Sequence, residues 1–332
     1  MTQLPTRLTR RAALSAAVGI GAMLSPLARA QSDAGWPNRP IKIIVPFPAG
    51  VGVDVVVRTI AGRLGDRLGQ AVVIDNKPGA GGNIGIEQAA RSPGDGYTLL
   101  ATSSNFTANP SLYQKVNFDP IKDFSPVVGL IRTPAVLVVP ADSPSRTVDE
   151  LLARIRATPG GLAYASGGNG SIAHFAGELF KMGNKIEGLH IPYRGAPDIF
   201  TSLLSQQTHY AFPVLVSAIA LVKSGKLRAL AVTSPKRNPF LPDVPTLHEA
   251  SKAGFDIESE NGLVATAGTP AAIINRLNLE IVRILKDPAV SGPLETGAFE
   301  VVASAPEVYG AKLRIEVAKY AEVVRVSGAR VD

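Results

Sequence analysis

The sequence predicts an α/β protein of two lobes, built on mostly parallel sheets. Three observations carry this. Short apolar strands alternate with helical-period runs from Ile41 onward. Loops rich in glycine and proline or serine join strand to helix at several points. Once an N-terminal export segment is set aside, about 300 residues remain, more than a single core usually serves.

The export segment is residues 1–30. Arg7, Arg10 and Arg11 form a basic start, Ala12 to Leu24 a short apolar run, and Ala28-Arg29-Ala30 a small-x-small cleavage site. Thr9-Arg10-Arg11 with Leu14 fits a twin-arginine signal as well as an ordinary secretory one. The apolar run is too short to span a bilayer. The expected location is the periplasm. The formal charge of +7 falls to +3 once Arg7, Arg10, Arg11 and Arg29 leave with the signal. No basic stripe interleaved with aromatics occurs, so no nucleic-acid partner is expected. There is no cysteine. That excludes disulfides, thiolate metal sites, a cysteine nucleophile and a lipid-modified N-terminal cysteine.

Along the chain, Ile41–Val45 reads as a strand and Pro46–Gly52 as a turn. Val53, Val56, Val57, Ile60, Ala61, Leu64 and Leu68 then share one helical face. Ala71–Ile74 is a strand, succeeded by the Pro78–Asn83 glycine loop and a helix over Ile84–Ala90. Tyr97–Thr102 is a strand ending in a polar loop, Ser103–Thr107. Ala135–Val139 is a strand closed by Pro140. Thr147 and Glu150 form a capping box for a helix to Arg156. Leu162–Ala165 leads through Ser166–Ser171 into a helix over Ile172–Met182. Ile186–Ile191 leads through Pro192–Asp198 into a helix to Ser205. A helix from Ser217 to Lys223 precedes a strand over Leu227–Val232. Two long C-terminal helices come last, one capped by Thr269 before Pro270, the other opened by a capping box at Ser304 to Glu307. Both are expected to pack on the first lobe. The lobes are assigned as 31–138 with 236–332, and 139–235.

Three loops share one character: Pro48–Gly52, Ser103–Thr107 and Ser166–Ser171. Each comes after a strand, where open α/β sheets bind ligands. The first and third lead straight into helices, whose early N–H groups lack partners and attract anions. Neither glycine loop completes a dinucleotide fingerprint, and no P-loop Gly-Lys-Ser/Thr occurs. Asp54, in a first helical turn, suits dipole compensation, loop locking or a ligand-side role. His174 suits either the cleft wall or ordinary packing. Arg194 suits a bidentate carboxylate contact or a surface turn. His174, His190, His209 and His248 are scattered, so no metal is expected. Ser171 and His174 share a turn, but the Gly-x-Ser-x-Gly elbow is missing, which disfavours a serine hydrolase.

Several stretches together resemble one family. They are Trp36-Pro-x-Arg-Pro-Ile, Ile44-Val-Pro-Phe-Pro-Ala-Gly with Asp54, and Asp75-Asn-Lys-Pro-Gly-Ala-Gly-Gly-Asn-Ile-Gly. Asp95-Gly-Tyr-Thr-Leu-Leu, Asn109-Pro-Ser-Leu-Tyr and Ser166-x-Gly-Asn-Gly-Ser come next, then Gly188-x-His-Ile-Pro-Tyr-Arg-Gly, Leu227-Arg-Ala-Leu-Ala-Val-Thr-Ser and Leu241-Pro-Asp-Val-Pro-Thr. Their order and spacing resemble the substrate-binding proteins of tripartite tricarboxylate transporters, the Bug family, over the whole mature chain. The resemblance implies a periplasmic-binding-protein fold of type II, a Venus flytrap with its ligand cleft between lobes and crossovers near Val136–Val139 and Arg228–Val232. It implies a monomer that holds an organic carboxylate by hinge closure, with no cofactor, and delivers it to two integral-membrane subunits. The implied ligand contacts are Phe47, Ala49, Gly50, Gly52 and Asp54 in one lobe, and Ser166, Gly168, Asn169 and Ser171 in the other. Ser103, Ser104 and Asn105 would line the same cleft, with His174, Arg194 and Phe212 as further candidates. A membrane-coupled sensor is the alternative role. Val51 stands where the family usually has glycine, and Ala211-Phe212-Pro213-Val214 replaces a Phe-Asp-Asn type sequence. The second change falls where a distal pocket is expected, so the usual ligand is not assumed.

Overall fold

The computed structural model describes residues 35–50, 52–251, 253 and 255–331. Contacts divide the chain into two units, Met1–Asn38 and Arg39–Asp332. The described part of the first, residues 35–38, is turn and coil. The export segment lies outside the described residues. Every strand and helix of the described residues belongs to the second unit.

Ile41–Val45 (β1) is extended because four of its five residues are β-branched, and all but Lys42 are buried. It feeds the Gly52–Leu68 helix, whose seven expected core residues are all buried. Val72–Asn76 (β2) and Thr98–Thr102 (β3) pair parallel on either side of β1. Phe124–Pro134 (β4) then runs almost directly into Val136–Pro140 (β5), with only Ala135 between. Next come Tyr164–Ser166 (β6), His190–Pro192 (β7), Tyr210–Ala211 (β8) and Leu227–Val232 (β9), then Glu258–Thr266 (β10) and Glu300–Val301 (β11).

These strands make two sheets, ordered β11-β4-β10-β3-β1-β2 and β7-β6-β8-β5-β9. Both are mixed rather than mostly parallel. β10 runs antiparallel between β3 and β4, and β5 runs antiparallel to β8 and β9. The sequence reading missed β4 and β10, and the two-residue strands β8 and β11. β4 carries Pro126, Gly129 and Pro134, which usually argue against a central strand. β10 opens with Glu258-Ser-Glu-Asn-Gly, a polar run that looks like a loop. Gly262 is needed in β10 because Tyr309 lies against it: a Cβ there would meet the Tyr309 ring at 2.3 Å.

The chain changes sheets at Ala135 and again after Val232, so the expected boundary at 138/139 falls inside β5. The two crossings are tied together. Val136 pairs with Val232, and Ala135 N donates to Thr233 Oγ1 at 2.8 Å. Thr233 N donates to the Ala135 carbonyl at 3.0 Å.

Three local expectations change. Ser103–Thr107 is not a loop: a helix starts at Ser104 and runs to Leu112. Thr269 does not cap the Ala271–Leu285 helix but donates to the Thr266 carbonyl. Ser304 does not cap Pro306–Ser327, because its Oγ accepts the Gly129 N–H. The last helix packs on β4 and the Ser104–Leu112 helix, and it also reaches the Ile172–Asn184 helix of the second lobe. There the Phe175 and Tyr320 rings lie 4.5 Å apart. One apolar cluster containing Ala108, Leu112, Phe175, Tyr320 and Val324 therefore joins the lobes.

Candidate ligand-binding cleft

A cleft of about 570 Å³ lies between the two sheets. Phe47, Gly50, Gly52 and Val53 line it from the end of β1, and Ser103, Ser104 and Asn105 from the end of β3. Thr133, Ser259, Asn261 and Phe299 complete the first-lobe wall. Ser171, Ile172, Ala196, Val214, Val216 and Ser217 form the second. Helices starting at Gly52, Ser104, Ile172, Ala196 and Leu215 thus all present their first turns to one space. The N-caps Ser103, Gly195 and Val214 make no side-chain capping bond. The first-turn N–H groups of the Ser104 and Leu215 helices thus have no capping side chain as acceptor, and the helix dipoles add partial positive charge there. Among the described residues no charged side chain lines the cleft. The arrangement suits an anion held by backbone and hydroxyl donors.

Over residues 56–328 the chain matches the profile described as the tripartite tricarboxylate transporter family receptor. The chain belongs to this family. BugT of Bordetella pertussis is 35% identical over 321 residues, spanning 96% of this chain and 98% of that protein. Rpa4515 of R. palustris, solved with adipate, superposes with a TM-score of 0.79 at 32% identity, covering 89% of this chain and 100% of the other. MatC of Rhodopseudomonas palustris, solved with malate, gives 0.76 at 29% identity, covering 87% and 100%. The family and the periplasmic-binding-protein fold expected from the motifs are both borne out.

Within this receptor the predicted site residues separate into wall and support. Phe47, Gly50, Gly52, Ser103, Ser104, Asn105 and Ser171 stand on the wall. Asp54 stands behind it, buried. It accepts the Gly50 N–H at 2.8 Å, Arg58 Nε at 2.7 Å and Asn76 Nδ2 at 2.8 Å. Asn76 Nδ2 also donates to the Phe47 carbonyl at 3.0 Å. The Arg58 hydrogen bond, helped by Gly50 and Asn76, holds the carboxyl down to about 2 against the opposing effect of burial. Asp54 therefore fastens the 47–52 loop and uses its carboxylate doing so. Ala49 is exposed and off the wall.

The second loop is supported differently. Ser166 is buried, with Oγ 2.6 Å from His190 Nε2. The Gly168 carbonyl accepts the Ser171 hydroxyl at 2.7 Å. His174 is buried and accepts the Gly170 N–H on Nδ1 at 3.2 Å. Its ring stacks on His190 at 4.2 Å. Burial pushes His174 down to about 4 and His190 to about 3, so both are neutral. Ser171 meets the backbone N–H of His174, not its ring, so the pair is a helix cap rather than a nucleophile and base. Gly168 shapes this loop in a left-handed conformation, φ 108°. Asn169 is exposed and off the wall.

Two candidates move away from the cleft. Arg194 is exposed and does not line it. Phe212 is fully buried beside Phe180, ring centroids 5.4 Å apart, in the second-lobe core. The chain turns at Pro213, so Val214 and Val216 meet the cleft instead. The sequence reading missed Val53, Thr133, Ile172, Ala196, Val214, Val216, Ser217, Ser259, Asn261 and Phe299 as cleft residues. Val214 had a signal, since it closes the atypical 211–214 segment. Thr133, Ser259 and Asn261 had none, lying on β4 and β10, neither of which was recognised.

Proposed function

We propose that this receptor captures a small organic carboxylate in the periplasm and delivers it to two integral-membrane transporter subunits. The carboxylate docks on the 47–52 and 103–105 segments, with Phe47, Gly50, Gly52, Ser103, Ser104 and Asn105 as contacts. The Ser171 side then closes over it, the lobes pivoting at Ala135 and Thr233. The ligand drives closure only through its better contacts with the closed form. The protein acts as a monomer, without cofactor, metal or turnover. The observation that carries this reading is the uncharged cleft ringed by helix N-termini from both lobes. Adipate and malate in the related R. palustris structures support the ligand class.

A thermal-shift screen over mono-, di- and tricarboxylates, aromatic acids included, tests it. Ligand at 100-fold its dissociation constant stabilises by about 2.7 kcal/mol. For a chain of this size the midpoint should rise by roughly 2–4 °C per kcal/mol. Small-angle scattering should show the radius of gyration falling on binding. A flat panel would defeat the carboxylate reading, and binding without contraction would defeat hinge closure.

A further inference from the structure

The two walls of the cleft differ in what they offer an anion. From that difference we infer that the ligand is a monocarboxylic acid with an apolar body, its single carboxylate seated on the first lobe. The inference rests on the carboxylate reading of the cleft and narrows it.

The first-lobe wall holds donors with nothing else to bind. Ser103 Oγ and Thr133 Oγ1 are buried without a hydrogen-bond partner among the described residues, and Thr133 as a whole is 3% exposed. Leaving a buried hydroxyl unmet is costly, so each marks a place where a ligand oxygen is welcome. The uncapped first turn of the Ser104–Leu112 helix lies beside them on the same wall. Hydroxyls and backbone N–H groups together can hold one carboxylate without a counter-charge.

The second-lobe wall has spent its hydroxyls on itself. Ser171 Oγ donates to the Gly168 carbonyl at 2.7 Å, and Ser217 Oγ to the Val214 carbonyl at 2.8 Å. What it presents is Ile172, Ala196, Val214 and Val216. The helix beginning at Ala196 has Pro197, which lacks an N–H, and Asp198 in its first turn, which disfavours an anion. The Leu215–Lys223 helix opens between Val214 and Val216, so branched apolar side chains flank its N–H groups. A second carboxylate on this side would lose its water to a largely apolar surface, whereas a hydrocarbon body gains by burial there.

Isothermal titration of the purified protein at pH 7 with two matched pairs tests this: hexanoate against adipate, and benzoate against terephthalate. Each pair differs by one carboxylate. The monoacid should bind at least tenfold tighter than its diacid in at least one pair. Thr133→Val keeps the shape and removes the unmet hydroxyl, and should weaken that monoacid about tenfold or more, as losing a hydrogen bond to a charged group does. Val216→Arg should pull the matching diacid ahead. Equal or tighter diacid binding in both pairs overturns the inference but leaves the carboxylate reading standing. Undiminished monoacid affinity in Thr133→Val overturns the anchor. No binding by any acid, here and across the wider panel, defeats the carboxylate reading itself.

Discussion

The two loops on opposite walls of the cleft are fastened by opposite chemistry. The 47–52 loop is held by an ionised carboxylate, Asp54, gripped by Arg58, Asn76 and the Gly50 N–H. The 166–171 loop is held by neutral groups, with Ser166 on His190 and Gly170 on the stacked His174 ring. Both leave the wall itself uncharged, which is what an anion site built from backbone donors needs. They differ in what destroys them. A charged lock fails when its carboxylate is protonated, and an imidazole lock fails when its rings are.

Acid should therefore break the second loop first, and this is the largest expected effect. His174 and His190 sit below their ordinary 6.5, at about 4 and about 3. Folded values below the unfolded one mean that their contribution is complete above pH 6.5. It is lost as pH falls toward 4, because the unfolded chain takes up protons that the folded one refuses. The stacked rings titrate as a pair, and the two together should lose roughly 5 kcal/mol between pH 6.5 and 4. Urea midpoints measured across that window check it. His190→Gln removes one of the two groups and should flatten the slope, and an unchanged slope would show that the acid loss arises elsewhere.

The first loop should hold through that window. Asp54 is lowered from 3.8 to about 2, so its contribution is full above pH 3.8 and disappears only as pH falls through about 2. Asp54→Ala should cost about 2 kcal/mol at pH 7, somewhat less to the extent that Arg58, half exposed, is screened by solvent. The gap to the parent should close on acidification through pH 2. A gap that persists there would mean that shape, not charge, holds the loop. Ser171→Ala should have the smallest effect. It removes the side-chain cap on the His174 N–H, worth about 1 kcal/mol, while the Gly170–His174 bond stays. An ester or amide hydrolysis that this substitution abolished would count against a pure binding role.

Much of this contrast was legible along the chain. The 41–68 stretch announced strand, loop and helix in one pass, because β-branching, glycine and a 3.6-residue period act within a few residues. The Thr147 cap was legible for the same reason, and Thr147 does accept the Glu150 N–H, but the expected box stays half-formed because the Glu150 carboxylate accepts the Arg146 N–H instead of that of Thr147. The caps expected at Thr269 and Ser304 failed because their hydroxyls found nearer or better-placed carbonyl and N–H partners in the folded chain. Phe212 failed in a similar way. Its neighbourhood stands out in the sequence, but which side of Pro213 faces the cleft depends on how Tyr210–Ala211 enters the second sheet.

By itself the sequence determined the βα units, the glycine loops, the buried helix face and the family. Each is written in local spacing or in ordered motifs. Only the tertiary structure decided that Thr133, Ser259 and Asn261 meet Gly50 and Ser103 on one wall. Those residues are up to about two hundred positions apart, and they are brought together by β10 inserting between β3 and β4. Sheet order of that kind is set by packing over the whole lobe. No short window encodes which hydroxyls will be left without partners at the bottom of the cleft.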